Sequence, residues 1–205
     1  MSTSRIEVAI CDRLIEARED GFAVEFVEKR TSKLMWLIYF VGFMFIWQRE
    51  FMDRYVTTVG STIYFPAGKL RRLDGHLSLR PTLDNLATLR HELQHIRDSR
   101  RFGPLWGLLY IFPQCLVLFA FSAFFTPYGW LFLVFLLPLP APFRVWAEIR
   151  GYEETWRTYV DNGAELDTEF VLANMKRIFT GRGYYRMAWR WEPIRRRFAE
   201  LLGVE

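Results

Sequence analysis

Apolar residues recur at every third or fourth position in two otherwise polar stretches, and this spacing predicts two amphipathic helices. The first is predicted over residues 5–20 with Gly21 as its stop, and its apolar positions are Ile6, Ile10, Leu14 and Ala17. The second is predicted from Pro81 to about Arg101, and its apolar positions are Leu83, Leu86, Leu89, Leu93 and Ile96. Two further helices are predicted over residues 144–160 and 168–179, with a break at Gly163.

A strand pattern lies between the first two helices. Residues 55–66 are rich in β-branched and aromatic side chains, are interrupted at Gly60-Ser61 and end at Pro66, which predicts a hairpin or two short strands. Residues 22–27 predict one more strand. Residues 67–80 are polar and basic, and they predict a loop.

Two segments contain no charged residue. The longer extends from Phe102 to Phe143 and divides at the turn signature Thr126-Pro127-Tyr128-Gly129. Its first part, 105–125, has about the ~20 residues that cross a bilayer core, whereas 130–143 is shorter and ends among prolines. Because a helix pair in a soluble core normally keeps a polar face, we predict a membrane hairpin or a shallow re-entrant pair over 104–143, with a buried helical hairpin as the alternative. The shorter segment, 34–47, is predicted to be interfacial, re-entrant or buried.

Composition narrows the class of protein. Of 205 residues, 51% are hydrophobic and 24% charged, which excludes a disordered or low-complexity chain. The net charge of +4 does not require a nucleic-acid partner. Cys11 and Cys115 form neither a disulfide framework nor a thiolate metal site, so a reducing compartment is expected. No basic stretch followed by an apolar one opens the chain, and a secretory signal is not expected.

Two of the three histidines stand in the run His91-Glu92-Leu93-Gln94-His95, within the second predicted helix. Four residues make about 1.1 helical turns, so both imidazoles project from one face and can bind one ion. Zinc suits imidazole nitrogen and keeps one coordination position for water. Glu92 follows the first ligand and can accept a proton from that water as a general base, which is the chemistry of peptide hydrolysis. An ordinary helix with exposed or salt-bridged histidines is the alternative.

A third protein ligand is needed, and position 101 is arginine, which excludes a third histidine ten residues after His91. The remaining candidates are carboxylates of a later helix: Glu148, Glu153 or Glu154. Glu148 is preferred, because small Ala147 and Gly151 beside it allow two metal-binding helices to approach closely. The alternative for Glu148 is an exposed carboxylate paired with Arg144 or Arg150, and Glu153 and Glu154 are expected on a solvated face.

Lesser candidates surround this motif. Asp98 lies on the ligand face and can accept a hydrogen bond from an imidazole, or pair with Arg101 or Arg97 instead. A tyrosine could donate to the oxyanion of the reaction, and the candidates are Tyr152, Tyr184 and Tyr185. The tail mixes arginine with aromatic residues, which is more typical of a membrane-interface anchor than of phosphate binding, and it places Arg182, Arg186 and Arg190 on one helical face.

With these residues the chain resembles the gluzincins, metallopeptidases with HExxH on one helix and a glutamate on the next. The order of segments is similar to that of the integral-membrane gluzincins of the heat-shock, prenyl-protein and β-lactam-sensor types. The stretch 148–152 resembles their Glu-x-x-Ala-Asp pattern, with Gly151 and Tyr152 substituted. The whole chain resembles small HExxH proteins of tailed phages and some bacteria, and the matching stretches are 55–66, 137–142 and 179–185.

These observations predict one metallopeptidase-like domain over 1–205, of the α+β, mostly helical class. The resemblance implies a zincin-like core into which the apolar hairpin is inserted, Zn2+ as cofactor and a peptide or protein as substrate. Arginines on both flanks of the hairpin predict a membrane-associated protein whose metal site faces the cytoplasm, with a phage virion or the cytoplasm as the alternative location. Membrane lipid or an apolar partner surface is the other expected contact. Two alternative functions are a non-catalytic structural component of a membrane or virion and a soluble peptidase whose apolar helices are packed away.

Overall fold

The computed structural model describes residues 2–46, 50–73, 75–137, 139–181 and 187–204. Most of these residues are helical and few form strands, which confirms the predicted α+β, mostly helical class. The strands are β1 (Glu25–Glu28), β2 (Thr57–Val59), β3 (Thr62–Phe65), β4 (Leu70–Leu73) and β5 (His76–Leu79). The α-helices are α1 (Thr3–Glu19), α2 (Lys33–Ile46), α3 (Phe51–Arg54), α4 (Leu83–Phe102), α5 (Leu105–Ile111), α6 (Pro142–Asp161), α7 (Thr168–Thr180) and α8 (Glu192–Leu202). Segments of 3-10 helix lie at Lys29–Thr31, Gln114–Phe124 and Gly129–Leu136.

The chain forms two compact units. The first comprises Met1–Arg100 with Arg150–Glu165, and the second Arg101–Ile149 with Leu166–Glu205. Helix α6 is continuous through the boundary, so its first part belongs to the second unit and its remainder to the first.

The first unit contains a three-stranded sheet in the order β1-β3-β2. Strands β2 and β3 are antiparallel and Thr58 lies opposite Ile63, which confirms the hairpin predicted over 55–66. Strand β1 runs parallel to β3 with Phe26 opposite Ile63. At the tight turn, Gly60 has a φ of 63°, a conformation that glycine adopts without strain.

Residues 67–80 were expected to form a loop, and that prediction is wrong. Strands β4 and β5 pair there as a second hairpin, with Leu70 opposite Leu79 and Leu73 opposite His76. Leu70 and Leu79 are buried, and their inward-facing pairing accounts for the strands. The alternation of apolar and polar residues was not recognised in the sequence, because basic residues occupy positions between these two leucines.

The core of the first unit joins α1, the strands and α4. Its buried members are Ile6, Ile10, Ala17, Phe22, Ile63, Phe65, Leu70, Leu79, Leu86, Leu89, Leu93 and Ile96. The last four are among the five apolar positions that predicted the second helix, and the fifth, Leu83, is partly buried against the core. Their burial holds one face of α4 against the sheet. Side chains elsewhere on α4 are thereby placed at defined positions.

The described part of the charge-free segment 102–143 does not fold into the two long helices expected of the membrane hairpin. Helix α5 ends at Ile111 and Pro113 follows, and a proline cannot donate the backbone hydrogen bond that would continue a helix. The chain then forms the two 3-10 segments, whose Phe119 and Phe132 ring centroids are 6.2 Å apart. Among the described residues, no helix is both long enough and apolar enough to cross a bilayer. The prediction of a transmembrane helix is therefore wrong. The predicted membrane-associated location, with the metal site facing the cytoplasm, depended on that helix and is no longer supported.

The shorter apolar segment forms α2, which has 14 residues. Its Met35 is fully buried, whereas Trp36, Leu37 and Phe40 are exposed. The helices predicted over 144–160 and 168–179 are confirmed as α6 and α7. Arg182 and Arg186, which were expected to share a face with Arg190, lie outside the described residues, as do Tyr184 and Tyr185.

Candidate metal centre

Helix α4 positions His91, Glu92 and His95. The hydroxyl of Thr82 accepts a hydrogen bond from the backbone N–H of Asn85 at 3.2 Å, which satisfies one donor of the first turn. One turn apart on this helix, the two imidazoles meet edge to face, and their Nε2 atoms are 3.0 Å apart. Both rings are more than nine-tenths buried, with 9% of His91 and 7% of His95 exposed.

His91, His95 and Glu148 form a group that could hold a metal ion, because one ligand atom of each lies within 4.8 Å of the others. Ligands about 2.1 Å from a tetrahedral zinc ion are roughly 3.4 Å apart, so these separations fit the ion after small adjustments. Two imidazoles and one carboxylate are also a donor set that zinc accepts. Glu148 is 5% exposed, which rules out the alternative of an exposed carboxylate on the helix surface.

The other two glutamate candidates are not part of this group. Glu153 is 8% exposed, and Glu154 is bound by Arg90 at 2.8 Å and by Arg157 at 3.1 Å. The expectation that both face solvent is therefore wrong. Arg90 also reaches Asp161 at 3.1 Å, so Glu154 belongs to an ion-pair network rather than to the metal group.

Gly151 explains how α6 approaches the imidazole of His91. A Cβ atom built on Gly151 would lie 2.6 Å from Nε2 of that ring, which is closer than any side chain could tolerate. The close helix approach predicted from the small residues is thus present at Gly151, and the ring of Tyr152 completes the contact with a centroid distance of 4.8 Å.

The position of Thr155 indicates which nitrogen of His91 carries the proton. The Thr155 hydroxyl donates to the carbonyl oxygen of Gly151 at 3.2 Å and lies 3.2 Å from His91 Nδ1. Because its single proton is used on the carbonyl, the hydroxyl accepts from Nδ1–H, and this inferred tautomer leaves a lone pair on Nε2. That lone pair accepts the Nε2–H of His95. To ligate a metal ion through Nε2, neutral His95 would have to carry this proton on Nδ1 instead.

Glu92 is held by a residue that sequence reasoning missed. Thr58 on β2 donates its hydroxyl proton to Glu92 Oε2 at 2.6 Å, and only 7% of Glu92 is exposed. The two residues are 34 positions apart, and no local pattern links them.

Lys29 is the second missed residue near Glu92. It is fully buried, donates to the carbonyl oxygen of Phe51 at 3.0 Å and lies 3.7 Å from the centroid of the Phe51 ring. Burial lowers the pKa of Lys29 to about 7, and the negative charge of Glu92 partly opposes this shift. Lysine next to a strand end carries no sequence signal for burial.

Asp98 has different partners from those expected. Its carboxylate accepts hydrogen bonds from Nε and Nη2 of Arg150, at 2.9 and 3.0 Å, and from the Gln94 amide at 3.0 Å, rather than from an imidazole, Arg97 or Arg101. Asp98 is 3% exposed. This bidentate pair links α4 to α6 about one turn beyond His95.

Glu148 accepts a hydrogen bond from the hydroxyl of Tyr110 on α5. The Tyr110 ring in turn lies under the guanidinium of Arg144, whose central carbon is 5.1 Å from the ring centroid. Tyr110 was not among the tyrosines singled out from the sequence, because it lies within the apolar segment.

Comparison of the chain with protein-family models, curated proteins and solved structures gives no match.

Proposed function

We propose that this protein is a zinc-dependent peptidase in which His91, His95 and Glu148 hold the metal ion and Glu92 is the general base. The observation that carries the proposal is the group of two imidazoles and one carboxylate whose ligand atoms lie within 4.8 Å of one another. Glu92 directly follows His91 on α4 and is buried as well. The resemblance of the motif to the gluzincins supports the same proposal, including a zincin-like core.

When bound, zinc would activate a water molecule and polarise the carbonyl group of the scissile peptide bond. The part of Glu92 is to accept a proton from that water and to donate it to the leaving amine. A carboxylate has lone pairs for more than one donor, so the bond from Thr58 restricts the rotation of Glu92 without using all its acceptor capacity. Thr155 keeps the His91 ring in the tautomer that ligates through Nε2.

The first test is to compare wild-type protein with Glu92→Gln. Glutamine is nearly isosteric with glutamate and cannot accept the proton, so zinc content should stay at about one per chain while cleavage of a diverse peptide library falls by about 100-fold or more. Glu169→Gln is the matched control, because Glu169 is an exposed glutamate in the first turn of α7. Glu169→Gln should keep the zinc content and the peptide cleavage of the wild-type protein.

Two results would count against the proposal. Equal turnover in Glu92→Gln and wild-type protein would remove Glu92 from the reaction. Stoichiometric zinc in a wild-type protein that cleaves no peptide would instead favour a structural role for the metal centre.

A further inference from the structure

The one carboxylate of the metal group is buried and needs a hydrogen-bond donor. Glu148 is 5% exposed, and a buried carboxylate without a partner is costly because it has lost its hydration. The hydroxyl of Tyr110 donates to its Oε1 atom. Tyr110 is therefore a source of stabilisation for the charge of this residue.

Tyr110 is itself fixed by aromatic packing. Its ring centroid lies 5.8 Å from that of Trp106, which contacts Phe143 at 5.4 Å. Phe102 adds further edge-to-face contacts with Phe143 and Trp146. These rings fix α5 against the start of α6, the helix that carries Glu148, and the Arg144 guanidinium lies over the Tyr110 ring.

A carboxylate can accept a hydrogen bond and bind a metal ion at the same time, since its two oxygens offer about four lone-pair sites. The donor restricts the orientation of the carboxylate before the metal arrives. Partners of this kind behind a metal ligand typically change metal affinity by about 10–100-fold.

We infer that Tyr110 is the positioning residue of the third metal ligand, so that the charge-free segment contributes to the metal centre through one hydroxyl group. This inference rests on the proposed metal site. It gives a function to the charge-free segment, which contains none of the proposed metal ligands. The hydroxyl acts through Glu148 and makes no bond to the metal ion.

The test is the affinity of purified protein for Zn2+, measured by competition with a chromophoric chelator. Tyr110→Phe keeps the ring and its packing and removes only the hydroxyl, and it should weaken zinc binding by about 10–100-fold. Tyr159→Phe is the matched control, because the Tyr159 hydroxyl also donates to a carboxylate, that of Asp84, at 2.7 Å. It should bind zinc as the wild-type protein does.

Two further measurements separate positioning from a general effect on folding. Tyr110→Phe should shift the visible absorption spectrum of bound Co2+, whereas Trp106→Phe, which alters the packing of α5 and keeps the hydroxyl, should not. In a Glu148→Ala background, the Tyr110→Phe substitution should cause no additional loss of affinity, because the side chain through which it acts is absent.

The outcomes distinguish this inference from the proposed function. Wild-type affinity in Tyr110→Phe, or an equal loss in Trp106→Phe, would overturn the role of Tyr110 and leave the metal site intact. A wild-type protein that binds no zinc would overturn both.

Discussion

Gly151 lies directly against the imidazole of His91, with space for a hydrogen atom and none for a methyl group. A Cβ atom at this position would be 2.6 Å from Nε2 and 2.7 Å from Cε1 of the ring. The face of α6 that approaches α4 is therefore restricted to glycine at this point, and the position of His91 depends on it.

We expect Gly151→Ala to displace the His91 ring. The added methyl group has to push a buried side chain aside, at a cost of about 1–3 kcal/mol of stability, and zinc affinity should fall with it. Gly107→Ala is the control, since Gly107 has open space around its Cβ position. Thermal unfolding measures the loss of stability, and chelator competition measures the loss of zinc affinity. Unchanged zinc affinity in Gly151→Ala would contradict the close contact.

The metal ligands predict a graded series. His91→Ala or His95→Ala should abolish zinc binding, and Glu148→Ala should weaken it strongly, because each removes one of the three proposed ligands. Glu153→Ala is the control from the same helix and should bind zinc normally. Metal analysis after gel filtration gives the stoichiometry, and normal binding by Glu148→Ala would move the third ligand elsewhere.

Thr58 should matter for the reaction and not for the metal. Thr58→Val keeps the shape of the side chain and removes the hydrogen bond to Glu92, which as a bond to a charged group contributes about 1.5–3 kcal/mol. We expect kcat/KM to fall by about 10–100-fold with zinc content unchanged. Thr57→Val is the control, because neighbouring residues of a strand point to opposite faces of the sheet. Equal activity in both variants would remove Thr58 from the site.

Lys29 predicts how stability changes with pH. Burial lowers its pKa from 10.5 to about 7, so between these values the unfolded chain binds more protons than the folded one. The contribution of Lys29 to the free energy of unfolding therefore rises as the pH increases from 7 to 10.5, and its total is on the order of 5 kcal/mol. Below pH 7 the buried lysine is charged in both states and the full burial cost is present.

Lys29→Met should remove this rise and should increase stability near neutral pH. Denaturant unfolding at several pH values measures the slope. Lys33→Met is the control, because Lys33 is exposed at the start of α2 and should keep the wild-type slope. A slope that persists unchanged in Lys29→Met would show that the lysine is hydrated in solution.

The pair of Asp98 and Arg150 should contribute more to stability than a surface ion pair. Asp98→Ala leaves the guanidinium without its bidentate partner, and we expect a loss of about 2–3 kcal/mol, less than for a fully buried pair because Arg150 is partly exposed. Glu16→Ala, which breaks the exposed pair with Arg13, should cost less than about 1 kcal/mol. Similar losses in both variants would contradict the role of Asp98 as a link between α4 and α6.

Features that depend on neighbouring residues could be predicted from the sequence. The spacing of His91 and His95 places both imidazoles on one face of any helix, and the apolar positions of α4 identify its buried face. The hairpin of β2 and β3 follows from the β-branched residues and the glycine turn between them. The small side chain of Gly151 was enough to predict a close helix approach, although the sequence did not identify His91 as the group that it meets.

Tertiary structure alone decided the features that join distant parts of the chain. Hydropathy predicted a membrane hairpin from the charge-free segment, but a proline after α5 ends the helix, and one tyrosine of this segment instead donates to Glu148. The bond from Thr58 to Glu92 and the pair of Asp98 with Arg150 connect residues with no periodic relation in the sequence. The physical reason is that periodicity reports only which face of an element is apolar. Which polar groups become partners depends on the packing of those faces, which is a property of the whole fold.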